Sequence, residues 1–591
     1  MTVKNRTIQL AVGLTIAAVG FASTACNQID VNTEEGLIKA LESRQKLDKA
    51  IPKISGMITR PDEMKPYIPA LIKLYTDGSM FDREVIQALA SAGDSSADVA
   101  FEKAVQSSDY KQIIQAAYGI RRTHNVNIQN KLLDIYDAQI NPEVQRAILE
   151  TGKDIKNEAM AKKAQAVLEG NLDETAFVLI TTSCDVLAYQ QDPAAVNTLM
   201  RAIYHQTGVG RSPVEPCTRA LLALNKAVAV PPLLEAYQLK NSALNAYVAA
   251  HPDTLTPESV RNNSANALAL FRAEEAIEPM LDYLGDTHTI PVPGTLALKP
   301  NGDPAWNGWG TLVGTSSQST MFALNDIGIR NNERAKTILV DIFNWTDAYQ
   351  AKFKNAVKQT GVTLIEVSQR VNAFKLLREN ELISSTETVD MINSLKGEEF
   401  LDERTNRPYA RAAIGTDMVT YAAITSKPGE TDSVWTAFNA LKAAEFNVPE
   451  PEGPDAIKLQ NVNDGVSERI AKTKATFELA DRCKADYTCY AQTLQDGANN
   501  KDFTEYERIK CIYELGFSGD HKYFETICKQ FANLDVFGQI YATQALARLG
   551  SNADVETIEA LNKELSRNMN QTNYSAAKRN LEGLVTTLKN K

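Results

Sequence analysis

The sequence predicts an all-α protein in which antiparallel helical hairpins stack on one another, an α-solenoid. The first observation is that residues 82–105 read as a helix, a glycine, a short polar link and a second helix. The second is that residues 539–565 repeat this pattern, with Ala-Asp-Val after the link at both 97–99 and 553–555. Because one hairpin cannot bury its apolar face alone, repeated hairpins are expected to stack.

The N-terminal part of the chain shows apolar residues at helical spacing in one short segment after another. The predicted helices are 34–47, 66–76, 82–92, 97–106, 110–121, 128–138 and 143–151. Segments 87–93, 115–121 and 146–152 align at offsets of about 28 and about 31 residues, the range of helical-hairpin repeats. Glycines at or near the ends of repeat segments are expected to be left-handed helix terminators, namely Gly93, Gly152, Gly328, Gly516 and Gly550.

Two segments interrupt this rhythm. Residues 286–310 are rich in Pro, Gly and Trp and predict a loop inserted in the stack, and residues 447–460 read as a Pro/Glu-rich linker. The predicted domains are therefore a long array at 34–446 and a smaller array with cysteines at 461–591. No segment shows the alternating pattern of a β-strand.

The repeated Ala-Leu-x-x-x-Gly at 88–93 and 545–550 resembles the HEAT-repeat superfamily. The resemblance is closest to bacterial HEAT-like units that also occur in phycobilisome lyase proteins, and it covers residues 82–152 and 505–565. It implies a curved right-handed stack with a concave binding surface. It does not imply lyase activity, because the residues that would be needed for it cannot be located in this sequence.

The N-terminus resembles a bacterial lipoprotein signal. Lys4 and Arg6 precede an apolar run at 8–22, and small residues lead directly to Cys26. The resemblance implies removal of a signal peptide at 1–25 and acylation of Cys26 by fatty acids such as palmitate, with residues 26–33 as a lipidated tether. Several acyl chains together anchor a protein firmly.

We therefore expect a location in the bacterial cell envelope. Asn27, where inner-membrane retention would place an Asp, favours the outer membrane. The alternative is a plain secretory signal that is cut nearby, with Cys26 incidental.

Six cysteines remain once Cys26 is set aside, and an even number in an exported chain predicts disulfides. Pairing neighbours in sequence gives Cys184–Cys217, Cys483–Cys489 and Cys511–Cys528, one of the connectivities that six cysteines allow. We expect all six to be oxidised. Zinc binding by the last four is the alternative, but they lack a Cys-x-x-Cys and a nearby His pair, so no metal site is predicted.

Composition and motifs exclude several functions. The net charge of −11 argues against nucleic acid as a partner, because phosphate binding needs a basic face. Five His leave few general bases, and the sequence has no phosphate-binding, dinucleotide-binding, Gly-x-Ser-x-Gly or His-Glu-x-x-His motif. We predict no catalytic residues and no cofactor.

Trp306 and Trp309 lie in the 286–310 loop and are the candidate partner contacts. They either pack back on the stack or present a contact surface, and a long insertion among short turns is a common place for function.

The sequence thus predicts a non-enzymatic cell-envelope lipoprotein that serves as a protein-binding scaffold, held at the membrane by its lipid anchor. Two alternatives stay open. One is an envelope enzyme that acts on glycan or peptide with a carboxylate pair, and the other is a lipoprotein that binds a small ligand or lipid.

Overall fold

The computed structural model describes residues 29–171, 177–204, 214–251, 255–288, 309–353, 362–396, 399–402, 407–441, 459–497, 500, 502–589 and 591. The chain divides into two compact units, Met1–Thr198 and Leu199–Lys591. In both units the described residues are overwhelmingly helical, and successive helices pack as adjacent pairs. The predicted all-α architecture of helical hairpins is confirmed.

The helices of the first unit are α1 Glu34–Ser43, α2 Leu47–Ser55, α3 Pro61–Met64, α4 Ile68–Asp77, α5 Asp82–Ala92, α6 Asp98–Val105, α7 Tyr110–Thr123, α8 Val126–Ile135, α9 Pro142–Glu150, α10 Glu158–Asn171 and α11 Phe177–Gln190. Helix α12, Val196–Tyr204, begins there and runs into the second unit.

The α-helices and strands that follow are α13 Val214–Ala223, α14 Lys226–Tyr237, α15 Ser242–Ala250, α16 Pro257–Leu270, α17 Ile277–Gly285, α18 Trp309–Ile327, α19 Glu333–Asn344, α20 Asp347–Lys352, α21 Val362–Glu379, α22 Ser385–Asn393, β1 Glu399–Asp402, β2 Arg407–Ala410, α23 Arg411–Ile424, α24 Thr436–Leu441, α25 Leu459–Cys483, α26 Tyr487–Asp496, α27 Glu505–Phe517, α28 Phe524–Gln530, α29 Val536–Leu549, α30 Val555–Asn568 and α31 Gln571–Lys589.

Two rows of helices build the first unit. Helices α5, α7, α9 and α11 pack successively in one row, and α4, α6, α8 and α10 pack successively in the other. The three aligned segments at 87–93, 115–121 and 146–152 lie on successive members of the first row. Their small residues, such as Ala88, Ala117 and Ala147, are buried between the helices.

The second unit is a ring rather than an open stack. Helices α16, α18, α21, α23, α27 and α29 each pack on the next, and α31 packs on α29 and also returns to α13 and α16. An Arg219–Glu582 ion pair of 3.1 Å spans this closure. Helices α17, α19, α24, α26, α28 and α30 each pair with a ring helix. The hairpins of this unit therefore stack until the last helix meets the first.

The predicted first helix is divided in two. Arg44 and Lys46 have positive φ angles of 57° and 56°, so α1 ends at Ser43 and α2 begins at Leu47. Residues 29–33, predicted as part of the tether, pack on these helices. Ile29 is buried, and its carbonyl accepts a hydrogen bond from Lys46 Nζ at 2.8 Å.

The predicted terminator glycines fall into two groups. Gly93 and Gly328 have positive φ angles of 66° and 98°, as predicted. Gly516 instead lies inside α27, where a Cβ would be 2.7 Å from Ala545 Cβ. Gly152 lies in a 3₁₀ turn, and Gly550 follows α29 in extended backbone. Close approach of neighbouring helices, rather than a left-handed φ, explains the glycine at 516.

A two-stranded antiparallel hairpin of β1 and β2 departs from the predicted absence of strands. Phe400 pairs with Tyr409 in its register, and the hairpin lies against α21, α23 and α25. Strands of four residues are too short to show an alternating pattern, so the sequence did not indicate them.

The predicted linker at 447–460 lies mostly outside the described residues. Helices α23, α25 and α27, which flank it in sequence, pack together within the second unit. Ile424 and Ile509, one from each side of the segment, share an apolar cluster with Tyr513 and Tyr541.

The cysteines confirm part of the predicted disulfide set. Cys483 and Cys489 are bonded, with Cα atoms 5.4 Å apart, and Cys184 and Cys217 are each disulfide-bonded. The prediction is wrong for Cys511 and Cys528, which are free. Both pack as small apolar side chains in the core around α27 and α28, and burial raises the pKa of each thiol to about 12.

Replacement of Gly516 by Ala tests the close contact of α27 with α29. Overpacking against Ala545 costs about 1 to 3 kcal/mol, while the gain in helix propensity is only about 1 kcal/mol, so we expect a net loss of unfolding free energy. Gly465→Ala is the matched control, because Gly465 lies within α25 and a Cβ there would meet no neighbouring helix within 4 Å. Urea denaturation followed by circular dichroism measures both. Stabilisation of both variants would contradict the close packing.

Candidate functional site

A groove on the first row of the first unit is one candidate site. It has a volume of about 470 Å³. Helix α5, helix α7 and the turn after α9 supply its lining, which we call the α5–α7 groove: Gln87, Ala90, Ser91, Gln115, Tyr118, Arg121, Arg122 and Asp154.

The groove carries polar side chains at equivalent repeat positions. Gln87 and Gln115 occupy the same place in successive repeats, and Tyr118 follows one helical turn later. Within the described part of the chain, these three side chains have no hydrogen-bond partner among protein groups. They are therefore free to bind a ligand.

The two arginines of the groove differ in their partners. Arg121 donates to Asp154 Oδ2 at 2.5 Å and to Glu150 Oε2 at 3.5 Å, so its charge is matched. Arg122 donates to the carbonyl of Ser91 and is exposed. Because a carbonyl carries no net charge, Arg122 is the arginine of the groove that has no carboxylate partner among the described residues.

The second unit contains a polar network centred on helix α21. This helix buries an unusual set of polar side chains: Glu366, Gln369, Arg370, Asn372, Lys375, Arg378 and Glu379. A buried charge requires a partner, and those of α21 find theirs either within the helix or on neighbouring helices. Arg370, for example, donates to Glu366 Oε1 at 2.7 Å within the helix.

Arg378 and Glu430 form a bidentate ion pair in the interior of the second unit. Arg378 Nη1 and Nη2 donate to the two oxygens of Glu430 at 2.9 and 2.7 Å, and both side chains are 2% exposed. Thr425 and Thr388 accept the remaining guanidinium hydrogens. Burial raises the pKa of Glu430, but the hydrogen bond and charge of Arg378 outweigh burial and hold that pKa below its usual value.

Glu379 joins three helices of the ring. Its carboxylate accepts hydrogen bonds from Tyr541 Oη of α29 and from Asn325 Nδ2 of α18, each at 2.5 Å. Lys375 lies 4.0 Å away on the same helix. Burial would lower the pKa of Lys375, but Glu379, Tyr421 and Asp326 together raise it above its ordinary value.

A cleft of about 490 Å³ opens beside this network, and we call it the ring-mouth cleft. It lies at the first residues of α27 and α29 and the N-terminal half of α21. Its lining is Gln318, Val367, Ser368, Val371, Asn372, Asp417, Thr420, Tyr421, Arg469, Tyr506, Asp535 and Phe537.

Both carboxylates of the ring-mouth cleft already have partners. Asp417 accepts a hydrogen bond from Arg469 Nη1 at 2.5 Å, and burial raises the pKa of Asp417 against the opposing effect of Arg469. Asp535 caps α29 by accepting the Gly538 N–H at 2.7 Å. Their charges therefore serve local structure.

The sequence-predicted site residues are only partly within the described chain. Cys26 and Trp306 lie outside it, so their predicted roles stay predictions. Trp309 is the first residue of α18, and its side chain lies outside the described part. Most of the 286–310 loop, residues 289–308, is likewise outside.

Sequence reasoning missed both the α5–α7 groove and the ring-mouth cleft. The matched glutamines at 87 and 115 were a signal for the groove, whereas the cleft unites residues from α18 to α29 that no local pattern connects. Among the described residues, His, Cys, Asp and Glu form no cluster of three or more that could hold a metal ion. In the same residues no helix has the length and apolar character needed to cross a bilayer.

No protein-family model and no curated protein matches this chain. Among solved structures, it is similar to a chain of one described as "Homology model of the full-length AP-3 complex in an intermediate open conformation". The identity is 11% and the TM-score 0.33, over 90% of this chain and 93% of that chain. A TM-score this low supports no conclusion about partners or activity.

Glu430→Gln tests the buried ion pair. We expect a loss of about 3 to 5 kcal/mol of unfolding free energy at neutral pH, because Arg378 then stays buried without an opposite charge. The folded-state pKa of Glu430 is lowered, so its stabilisation is complete above the ordinary value of 4.5 and is lost as the pH falls through the folded pKa. Urea denaturation across pH should therefore show a flatter acid limb in the variant.

Glu468→Gln is the matched control for this measurement, because Glu468 pairs with Lys472 on an exposed helix face. Exposed pairs contribute little, so its stability should match that of the unchanged protein. An equal effect of both substitutions would contradict a special role for the Arg378–Glu430 pair.

Proposed function

We propose that the protein is a scaffold that binds another protein through the α5–α7 groove of its first unit. The observation that carries this proposal is the pair of repeat-matched glutamines, Gln87 and Gln115, which line the groove without hydrogen-bond partners in the described part of the chain. Side chains of this kind pair with the amide groups of an extended peptide, since each offers a donor and an acceptor.

The charge of the groove indicates the chemistry of the partner segment. Arg122 lies beside the two glutamines and Tyr118 and has no carboxylate partner among the described residues, so an Asp or Glu side chain of the partner segment would pair with it. Charge complementarity of this kind increases the association rate and selects among partners. The stacking of helical hairpins agrees with this use, because stacks of repeated hairpins present extended binding surfaces.

A non-enzymatic role is part of the same proposal. The envelope enzyme considered from the sequence would need paired carboxylates converging in a pocket. Asp417 and Asp535 of the ring-mouth cleft are occupied by Arg469 and by the start of α29. Because both carboxylates already have protein partners, the cleft is better suited to binding than to acid–base catalysis.

The location proposed for the scaffold is the bacterial cell envelope, with the outer membrane favoured over the inner. Acylation of Cys26 would tether the chain, and the first described residue, Ile29, already packs on the folded body. The first unit would then lie close to the bilayer surface, within reach of other envelope proteins.

Gln87→Ala combined with Arg122→Glu tests the groove. We expect at least a tenfold loss in the amount of crosslinked partner recovered from envelopes, because both the amide pairing and the charge match are removed. Lys162→Glu is the matched control, since Lys162 is exposed on α10 in the other row and changes charge by the same amount. Equal recovery from the double variant and the unchanged protein would reject the groove as the binding surface.

Cys26→Ser tests the anchor. Metabolic labelling with an alkyne analogue of palmitate should label the unchanged protein and not the variant, because the thiol is the acceptor. The variant should move from the membrane to the soluble fraction on cell fractionation. An unlabelled protein with Cys26 intact would show that the N-terminal segment is a plain secretory signal.

A further inference from the structure

The ring-mouth cleft takes no part in the protein binding that we propose for the α5–α7 groove. Its volume of about 490 Å³ falls within the range of small-molecule sites.

The cleft offers several uncharged hydrogen-bonding groups to a ligand. The amide of Gln318, the hydroxyl of Thr420 and the phenols of Tyr421 and Tyr506 have no protein hydrogen-bond partner within the described residues. Each can both donate and accept. Asn372 and Ser368 are linked only by one long contact of 3.4 Å. A ligand rich in hydroxyl groups would satisfy these side chains.

The charges of the cleft disfavour an anion. Arg469 is the cation among the lining residues, and it is paired with Asp417 at 2.5 Å. Asp535 contributes a carboxylate that is exposed and that accepts only a backbone N–H. The lining as a whole is therefore slightly negative, which repels phosphate or carboxylate ligands.

The apolar part of the cleft is mainly aromatic. Tyr421 and Phe537 meet edge to face, with ring centroids 5.9 Å apart, and Tyr506 is half-buried nearby in the lining. Val367 and Val371 are the aliphatic members, too few to hold a lipid chain. The faces of aromatic rings carry negative charge density and attract the polarised C–H groups on one side of a sugar ring.

We propose that the ring-mouth cleft binds a neutral oligosaccharide. Lys375 Nζ lies over the Tyr421 ring, and Phe537 packs on Tyr421 and Tyr541, so the Tyr506 ring takes up the C–H side of a sugar ring. Gln318, Thr420 and the tyrosine hydroxyls exchange hydrogen bonds with the sugar hydroxyls. The Asp417–Arg469 pair holds α23 against α25 at the edge of the cleft and so fixes its shape. A peptide is the less suitable ligand, because the cleft has no aliphatic pocket for an apolar side chain.

The test uses the full chain purified in a sugar-free detergent. Maltotetraose, cellotetraose, xylotetraose and chitotetraose are titrated by calorimetry and by saturation-transfer NMR, beside an alanine-rich and a lysine-rich peptide. We expect at least one oligosaccharide to bind and neither peptide to do so. Tyr506→Ala and Gln318→Ala should each weaken that binding at least tenfold, and Tyr506→Phe should weaken it less because the ring remains.

Tyr110→Ala is the matched control, since Tyr110 is a half-exposed tyrosine of α7 in the first unit. It should leave sugar binding unchanged. Circular dichroism melting checks that each cleft variant folds, and Gln318→Ala serves if Tyr506→Ala does not. Absence of binding by all four sugars at millimolar concentration overturns the proposal. So does binding that the cleft variants leave unchanged, or binding of the peptides alone.

Discussion

The hydrogen bond from Tyr541 to Glu379 is the contact on which the second unit depends. It joins residues 162 positions apart in sequence and connects α29 to α21, with Asn325 of α18 as the second donor. A buried carboxylate without donors is costly, so Glu379 can be buried only where α18 and α29 lie against α21. The polar interior thereby favours this arrangement of the ring, because displacement of α18 or α29 would leave the buried Glu379 without a donor.

Both units are built from helical hairpins, but the polar side chains of the hairpins lie in different places in the two units. In the first, small residues such as Ala88 and Ala117 let helices stack in two rows, and the polar positions between repeats face a groove. In the second, polar side chains of α21 turn inward and are satisfied by partners from distant repeats. The α5–α7 groove is lined by equivalent positions of successive repeats, whereas the ring-mouth cleft is lined by helices that the ring brings together from distant parts of the sequence.

The sequence predicted features that depend on residues close in sequence, and it failed where a feature depends on distant residues. Helix α5 was predicted to the residue, because capping and periodicity are local, and Gly93 ends it as expected. The role of Gly516 was predicted wrongly because Ala545, the residue that leaves no room for a side chain there, lies on another helix. Cys511 and Cys528 were misread because counting cysteines says nothing of burial, and closure of the ring was missed because its partners lie hundreds of residues apart.

The place of α31 in the chain has a consequence for biosynthesis. This helix follows all the other described helices in sequence, yet it supplies the contact with α13 and α16 that completes the ring. The ring can therefore close only after residues 571–589 have emerged from the ribosome, because the sides of α13 and α16 that α31 covers have no such cover before then. We expect this closure to be a late step of folding, because it joins helices that are far apart in sequence. A chain without residues 571–589 would leave the ring open, with the sides of α13 and α16 that α31 covers exposed to proteases and chaperones.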